Sequence, residues 1–413
     1  LAAADAAELP AFFDDDHLTI GFGSAALRLD RGSLPPPSTT GIGRIPIVVV
    51  TGTNGKTTTA TLLAAIAAAA GHVVGVATST GVRVGADLVE TGDWSGPGAA
   101  RLVGDDPRVT FAVLETARGG LLRRGLLVSH VDVAVLTNVS ADHLGEWGID
   151  TLPALAEVKR VVAEAVRAGG TVVSNADDPV LDEAVRSWIG SRPDLTWVRF
   201  RGADDPLPLP VADIPLTLGG AARYNRDNAV AAAAAARALG IGDAAIARGL
   251  RAVRPDPRDN PGRTNLWRLG GAQILVDYAH NPDGLRRLRE LCDGLAPRRR
   301  WMVLGQAGDR PDGLVQALAA EAAAIGCAGY ALKPLPGYAR GREPAEVVEV
   351  LYRGLIDAGV DPARIERVTD ELAAVGWIAD RVGPGDLGLL LVHEDLDAAV
   401  AALRARGAEP WSP

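Results

Sequence analysis

Between Thr51 and Thr58 the chain reads Thr-Gly-Thr-Asn-Gly-Lys-Thr-Thr, and these residue types in this order suit a polyphosphate. Glycines let backbone N–H groups turn toward a phosphate chain, and a helix opening just beyond adds the positive end of its dipole. Gly52, Thr53, Asn54, Gly55, Lys56, Thr57 and Thr58 are the candidate nucleotide contacts. Lys56 can neutralise the β and γ phosphates, and the Thr57 hydroxyl suits Mg2+. A full Walker spacing needs glycine where Val50 stands, so the generic phosphate-loop pattern is incomplete. Two more groups belong with this loop. Glu115 ends an apolar run at 109–114, and His143 follows another at 131–136. In a parallel sheet the strand C-termini share one edge, so an acid and an imidazole delivered there can complete a magnesium site.

Lysine usage singles out a third position. The chain holds 42 basic residues, and only Lys56, Lys159 and Lys333 are lysine. Arginine therefore serves wherever a generic positive charge suffices, and the surviving lysines are enriched for places that need a primary amine on a thin stem. Lys333 follows a strand-like run at 329–332 and opens a Pro- and Gly-rich segment ending Arg340-Gly341-Arg342. That segment reads as a loop able to close over a site, with Lys333 contacting a phosphate.

The elements that must position these groups alternate in type. Strands are expected at 45–50, 109–114, 131–136 and 171–173, with helices at 57–70, 152–167 and 229–239. The segment 254–262 holds three prolines and reads as a linker. Beyond it a second series has strands at 273–276, 301–304, 329–332 and 387–392, and helices near 284–295, 314–324, 345–358 and 396–404. The expected fold is α/β: a P-loop central domain with a mostly parallel sheet at 45–255, plus a C-terminal Rossmann-like α/β domain at 263–413. Residues 1–44 form a short lead-in or small appended element. A length of 413 residues exceeds one core, and an apolar fraction of 47% allows more than one. The formal charge of −9 without basic blocks argues against nucleic acid or an anionic membrane as the main partner. No apolar run approaches the roughly 20 residues of a membrane span, and no signal peptide is visible. Cys292 and Cys327 have no metal spacing and read as reduced, buried thiols of a cytoplasmic protein.

Further motifs carry a resemblance. Leu114 to Leu126 reads Leu-Glu-Thr-Ala-Arg-Gly-Gly-Leu-Leu-Arg-Arg-Gly-Leu, followed by Asp142-His143-Leu144-Gly145, Ser174-Asn175-Ala176-Asp177-Asp178-Pro179, Pro261-Gly262-Arg263 and Asp277-Tyr278-Ala279-His280-Asn281-Pro282. With the phosphate loop and Gly92 to Pro97, these resemble the Mur ligases, and in particular the Mur-like module of cyanophycin synthetases, over residues 45–413.

The resemblance implies an ATP-dependent, ADP-forming ligase that activates a carboxylate as an acyl phosphate and joins it to an amine. It implies Mg2+ at two sites, bound by Thr57, Glu115 and His143 and by a carbamylated Lys159. Asn225 and Asn228 would hold the adenine side of ATP, Arg263 the phosphates from across the domain junction, and Asp277 the ribose. His280 would shape the nucleotide site. Tyr224 stands where the family usually has histidine. The chain looks like the Mur-like module without an ATP-grasp region. By resemblance, it would join an amino acid to an acidic, peptide-like acceptor. Arg118, Arg123 and Arg124 can attract such an acceptor or equally form a structural cluster. A ligase of another small carboxylate, a P-loop NTPase driving a partner and a noncatalytic nucleotide scaffold are the competing readings.

Overall fold

The computed structural model describes residues 2–13, 16–30, 42–126, 128–142 and 144–411. The chain divides into two compact units: Leu1–Ser140, Leu144–Ile214 and Tyr224–Val253 form one, and Ala141–His143, Pro215–Arg223 and Arg254–Pro413 the other.

In the first unit, β1 (Ala11–Phe13), β2 (His17–Ile20) and β3 (Leu27–Asp30) make an antiparallel meander. Its Phe12 and Phe22 are buried and join the main core of the unit. The large sheet is built from β4 (Ile47–Thr51), β5 (Val74–Thr78), β6 (Gly81–Val84), β7 (Asp87–Thr91), β8 (Phe111–Glu115), β9 (Val131–Leu136), β10 (Val166–Asn175) and β11 (Thr196–Phe200). Their order is β11-β10-β9-β4-β8-β5-β6-β7. The strands from β11 to β5 are parallel, whereas β6 and β7 add an antiparallel edge. All five residues of β4 are buried, which is why it reads as an unbroken β-branched run rather than an alternating one. Each such valine contributes roughly 1.5–3 kcal/mol by burial. Register then places the chemistry: Val50 pairs Glu115 of β8, and Thr51 pairs Leu136 of β9. The phosphate-loop strand therefore ends between the two strands whose ends were expected to matter.

The helix expected over 152–167 is shorter. It runs Leu152–Arg160, passes into a tight turn at Val161–Ala165 and gives way to β10. The register of β10 against β9 shifts between Val166 and Thr171, and at Gly170 a Cβ would sit 2.8 Å from the Asp132 carbonyl oxygen.

The second unit has β12 (Asn265–Leu269), β13 (Ala272–Asp277), β14 (Arg300–Leu304), β15 (Gly329–Leu332), β16 (Ile365–Arg367), β17 (Leu387–Leu391) and β18 (Glu409–Pro410). The order is β16-β15-β14-β17-β13-β12-β18, parallel from β16 to β13. Helices Pro282–Leu295, Asp312–Ala324, Pro344–Asp357, Glu371–Arg381 and Leu396–Ala405 accompany it. The segment expected as a linker is tightly bonded at its end: Asn260 is fully buried, and the Asn265 amide donates to its carbonyl at 2.9 Å. Cys292 and Cys327 are free and buried, and burial pushes the Cys292 thiol up to about 12. Among the described residues no helix is long and apolar enough to cross a membrane.

Candidate active site

The loop after β4 leads into the helix Lys56–Ala69. Gly55 stands at that helix's N-cap with φ +83°, and a Cβ there would lie 2.2 Å from Asn228 Oδ1. At Gly52 a Cβ would lie 1.9 Å from Thr137 Oγ1. Only glycine fits either place. The loop is held by the residues following β9, which sequence reasoning gave no role. The Asn54 N–H donates to Asn138 Oδ1, and the Asn138 amide donates back to the Asn54 carbonyl, each at 2.9 Å. Thr137 Oγ1 donates to the same carbonyl at 2.7 Å, and the Thr53 N–H donates to the Asn138 carbonyl at 2.8 Å. The only signal for this was a Thr-Asn pair directly after an apolar strand. Lys56 folds back, its ammonium donating to the Thr53 carbonyl at 3.0 Å.

Glu115 is buried at the adjacent strand end. Its Oε2 accepts from the Thr57 hydroxyl at 2.8 Å and the Ser79 N–H at 3.1 Å, and the two hydroxyls lie 3.1 Å apart. A carboxylate and a hydroxyl held together beside the loop are hard oxygen donors of the kind Mg2+ or Mn2+ takes. His143, expected as their companion, lies outside the described residues. Among the described residues no three histidine, cysteine, aspartate or glutamate side chains cluster as a metal cage. Lys159 is buried, 4% exposed, on a helix N-capped by Thr151. A buried lysine amine is costly unless paired or modified.

Asn225 and Asn228, expected on the adenine side, lie in the first unit on the helix Arg223–Ala238. Both are buried one turn apart, the Asn228 amide donating to Asn225 Oδ1 at 3.2 Å, with Asn228 against Gly55. Asn228 also accepts from the Thr59 hydroxyl at 3.4 Å and so braces the start of the loop helix. Arg118 is buried, with a 2.6 Å ion pair to Glu146, in keeping with the structural alternative for it. Arg123 and Arg124 are exposed.

In the second unit Arg263 lies over the Tyr278 ring, 5.1 Å from its centre, and Asp277 accepts from the N–H groups of Thr264 at 2.7 Å and Ala279 at 2.9 Å. Burial raises the Asp277 carboxyl above the usual range, with the Thr264 N–H and then Arg263 opposing. His280 Nδ1 is 2.9 Å from the Tyr278 carbonyl. Lys333, expected to contact a phosphate from a closing loop, is fully buried in an ion pair with Glu371. Glu371 also accepts the N–H groups of His393 at 2.8 Å and Asp395 at 2.9 Å. Burial pushes the Glu371 carboxyl up, but Lys333 and the His393 N–H outweigh it and hold it below the usual range. The loop behind is fastened too, through Arg342 to Asp312 at 2.7 Å and the Gly308 N–H to the Tyr338 carbonyl at 2.9 Å.

The family description "Mur ligase middle domain" matches residues 50–197, and "Mur ligase, glutamate ligase domain" matches 262–391. The chain belongs to the Mur ligase family. Within it, the chain is similar to the cyanophycin synthetase of Crocosphaera subtropica, 36% identical over 397 residues that make up 90% of this chain and 45% of that protein. It thus spans less than half the length of that relative. It is 31% identical to the UDP-N-acetylmuramoyl-L-alanyl-D-glutamate–2,6-diaminopimelate ligase of Geobacter metallireducens, over 65% of this chain and 56% of that one. Among solved structures, the folylpolyglutamate synthase/dihydrofolate synthase of Yersinia pestis, complexed with AMPPNP and a Mn ion, superposes with a TM-score of 0.61 at 21% identity, covering 87% of this chain and 88% of that one. That likeness establishes the fold.

Proposed function

We propose that the chain is an ATP-dependent, ADP-forming ligase that activates a carboxylate as an acyl phosphate and joins it to an amine. The observation carrying this reading is the glycine cradle beside the buried Glu115–Thr57 pair, on a Mur ligase frame. ATP would supply the phosphoryl group, and a divalent metal would neutralise its developing charge. The residues present fit both, since Gly55 gives the loop a left-handed turn into the helix N-terminus and the donor set beside it is oxygen.

The loop amides and Lys56 would orient the phosphates, Lys56 exchanging its contact with the Thr53 carbonyl for phosphate oxygens. Thr57, Glu115 and His143 would hold one metal. Lys159 would hold a second once carbamylated, a step that needs an amine and is closed to arginine. Arg263, Asp277 and His280 are the groups this reading assigns to the nucleotide. Attack of the acceptor carboxylate on the γ-phosphate releases ADP. Attack of the amine on the acyl phosphate then forms the amide and releases phosphate, the amine's proton leaving to solvent or base. By analogy with the cyanophycin synthetases, the acceptor would be an acidic, peptide-like chain and the amine an amino acid.

Phosphate release measured with ATP, Mg2+, an aspartate-rich peptide and a panel of amino acids tests the reading. Release that depends on both substrates is expected. Equal release without either would instead make the chain a P-loop NTPase.

A further inference from the structure

The hairpin at 145–149 carries a residue of the wrong type for its backbone. Glu146 and Ile149 pair as a β-bridge, leaving Trp147 and Gly148 as a two-residue turn. Both central residues have positive φ, +61° at Trp147 and +71° at Gly148. Such mirrored turns take Asn, Asp or Gly at the first central position, because a bulky side chain there strains against its own backbone. A tryptophan instead occupies this strained, exposed position. Of the eight tryptophans only Trp147 is exposed, at 61%.

Looseness does not account for this exposure. The turn is anchored on both sides. Ile149 is buried in the core, Glu146 is tied to the buried Arg118 at 2.6 Å, and the Gly145 N–H donates to the Ile149 carbonyl at 2.9 Å. The scaffold is fixed and only its tip projects. Strain held in place by surrounding structure points from the outlier to a function.

The neighbourhood says what the tip would meet. The Arg123 guanidinium lies over the Trp147 ring, 5.8 Å from its centre. Arg123 and Arg124 are both exposed, and among the described residues neither has a carboxylate partner, although many other arginines of the chain are paired with aspartate or glutamate. These two sit at the far end of the helix Arg118–Arg124, which starts three residues after Glu115. Seven helical residues span about 10 Å, or about three residues of extended peptide.

We propose that Trp147, Arg123 and Arg124 form a docking platform for residues of an acidic peptide acceptor that flank the reacting carboxylate. The aromatic face takes peptide planes and side-chain stems, and the two guanidinium groups take carboxylates. The assignment rests on the ligase reading for its substrate class, and it adds a residue that the sequence motifs do not contain.

The test uses the full chain and aspartate-rich peptides of two to eight residues. Acceptor KM should fall as the peptide lengthens past about three residues, and Trp147→Gly and the double substitution Arg123→Gln/Arg124→Gln should flatten that dependence. Glycine suits the turn, so loss of folding cannot mimic the effect. Anisotropy of a labelled octapeptide should show Kd rising about ten-fold in either variant, with a lysine-rich peptide of the same length failing to bind. Variants that keep the length dependence and the octapeptide Kd, or equal binding of the lysine-rich peptide, would overturn the platform. If no acidic acceptor supports phosphate release, the ligase reading fails, and the anisotropy arm still decides the platform.

Discussion

Two strand-end edges in this chain each carry a lysine, and they treat it oppositely. After β4, Lys56 is half-buried and bonded, among the described residues, to a carbonyl of its own loop, amid glycines, hydroxyls and backbone N–H groups. After β15, Lys333 has no exposure and is consumed by Glu371, whose remaining lone pairs gather the loop after β17. At the first edge the buried carboxylate, Glu115, is engaged by the Thr57 hydroxyl and the Ser79 N–H, and on the proposed function an anionic ligand would be the counterpart of Lys56. The second supplies its own counter-charge and becomes rigid. The same position in a parallel sheet can therefore be a receptor or a rivet, and the local supply of carboxylate decides which.

The largest expected break in this comparison is at the receptor. Lys56→Ala should lower ATP-dependent phosphate release about 100-fold or more while leaving the thermal midpoint within a degree or two; turnover near that of the unaltered chain would show that the loop does not serve phosphate. At the rivet the order reverses. Lys333→Ala leaves Glu371 buried without its cation, which should cost about 3–5 kcal/mol of stability, read by denaturant unfolding. The double substitution Lys333→Met/Glu371→Gln should recover much of that loss. A small change in the single variant would mean that the pair is not structural.

A smaller effect sharpens the comparison through pH. His393 is buried beside the rivet, and burial, then the Lys333 ammonium, hold its pKa well below the ordinary value of 6.5. A histidine depressed in the folded state stays neutral there while its unfolded counterpart takes up a proton. Its contribution to stability is thus complete above about pH 6.5 and declines as pH falls toward the folded pKa, by at most about 1.4 kcal/mol per unit. Stability should slope downward from pH 7 to 5, and His393→Phe should flatten the slope. The smallest effect expected is a gain: Trp147→Gly relieves a left-handed backbone worth about 1 kcal/mol, raising the melting temperature by roughly 2–4 °C. No gain would mean the turn is unstrained.

Much of this was legible because buried parallel strands are written as continuous apolar runs. β9 and β15 fall on the expected residues, and β4 and β8 within two. What escaped notice lacks that signature. β7 reads Asp-Leu-Val-Glu-Thr and is exposed at every position, so no burial pattern marks it. Among the site residues, the phosphate loop was found through its glycines and its lysine. Asn138 was passed over because its role lies in backbone bonds to Asn54, 84 residues away. Lys333 was misjudged for a related reason: proline and glycine around it suggested a loop, while the carboxylate that buries it stands 38 residues on. Composition found the unusual lysine, but only tertiary structure could say what held it.

The N-terminal meander has a consequence for how the chain is made. Phe12 and Phe22 pack against Gly104, Ser24 bonds the Val109 carbonyl at 2.8 Å, and Thr19 bonds Asp105 at 2.7 Å. On a ribosome these aromatics emerge roughly eighty residues ahead of their partners, an interval of about 4–16 s at 5–20 residues per second. Until then the packing partners at 104–109 have not been made, so the meander, although synthesised ahead of them, should be among the last parts of its unit to settle.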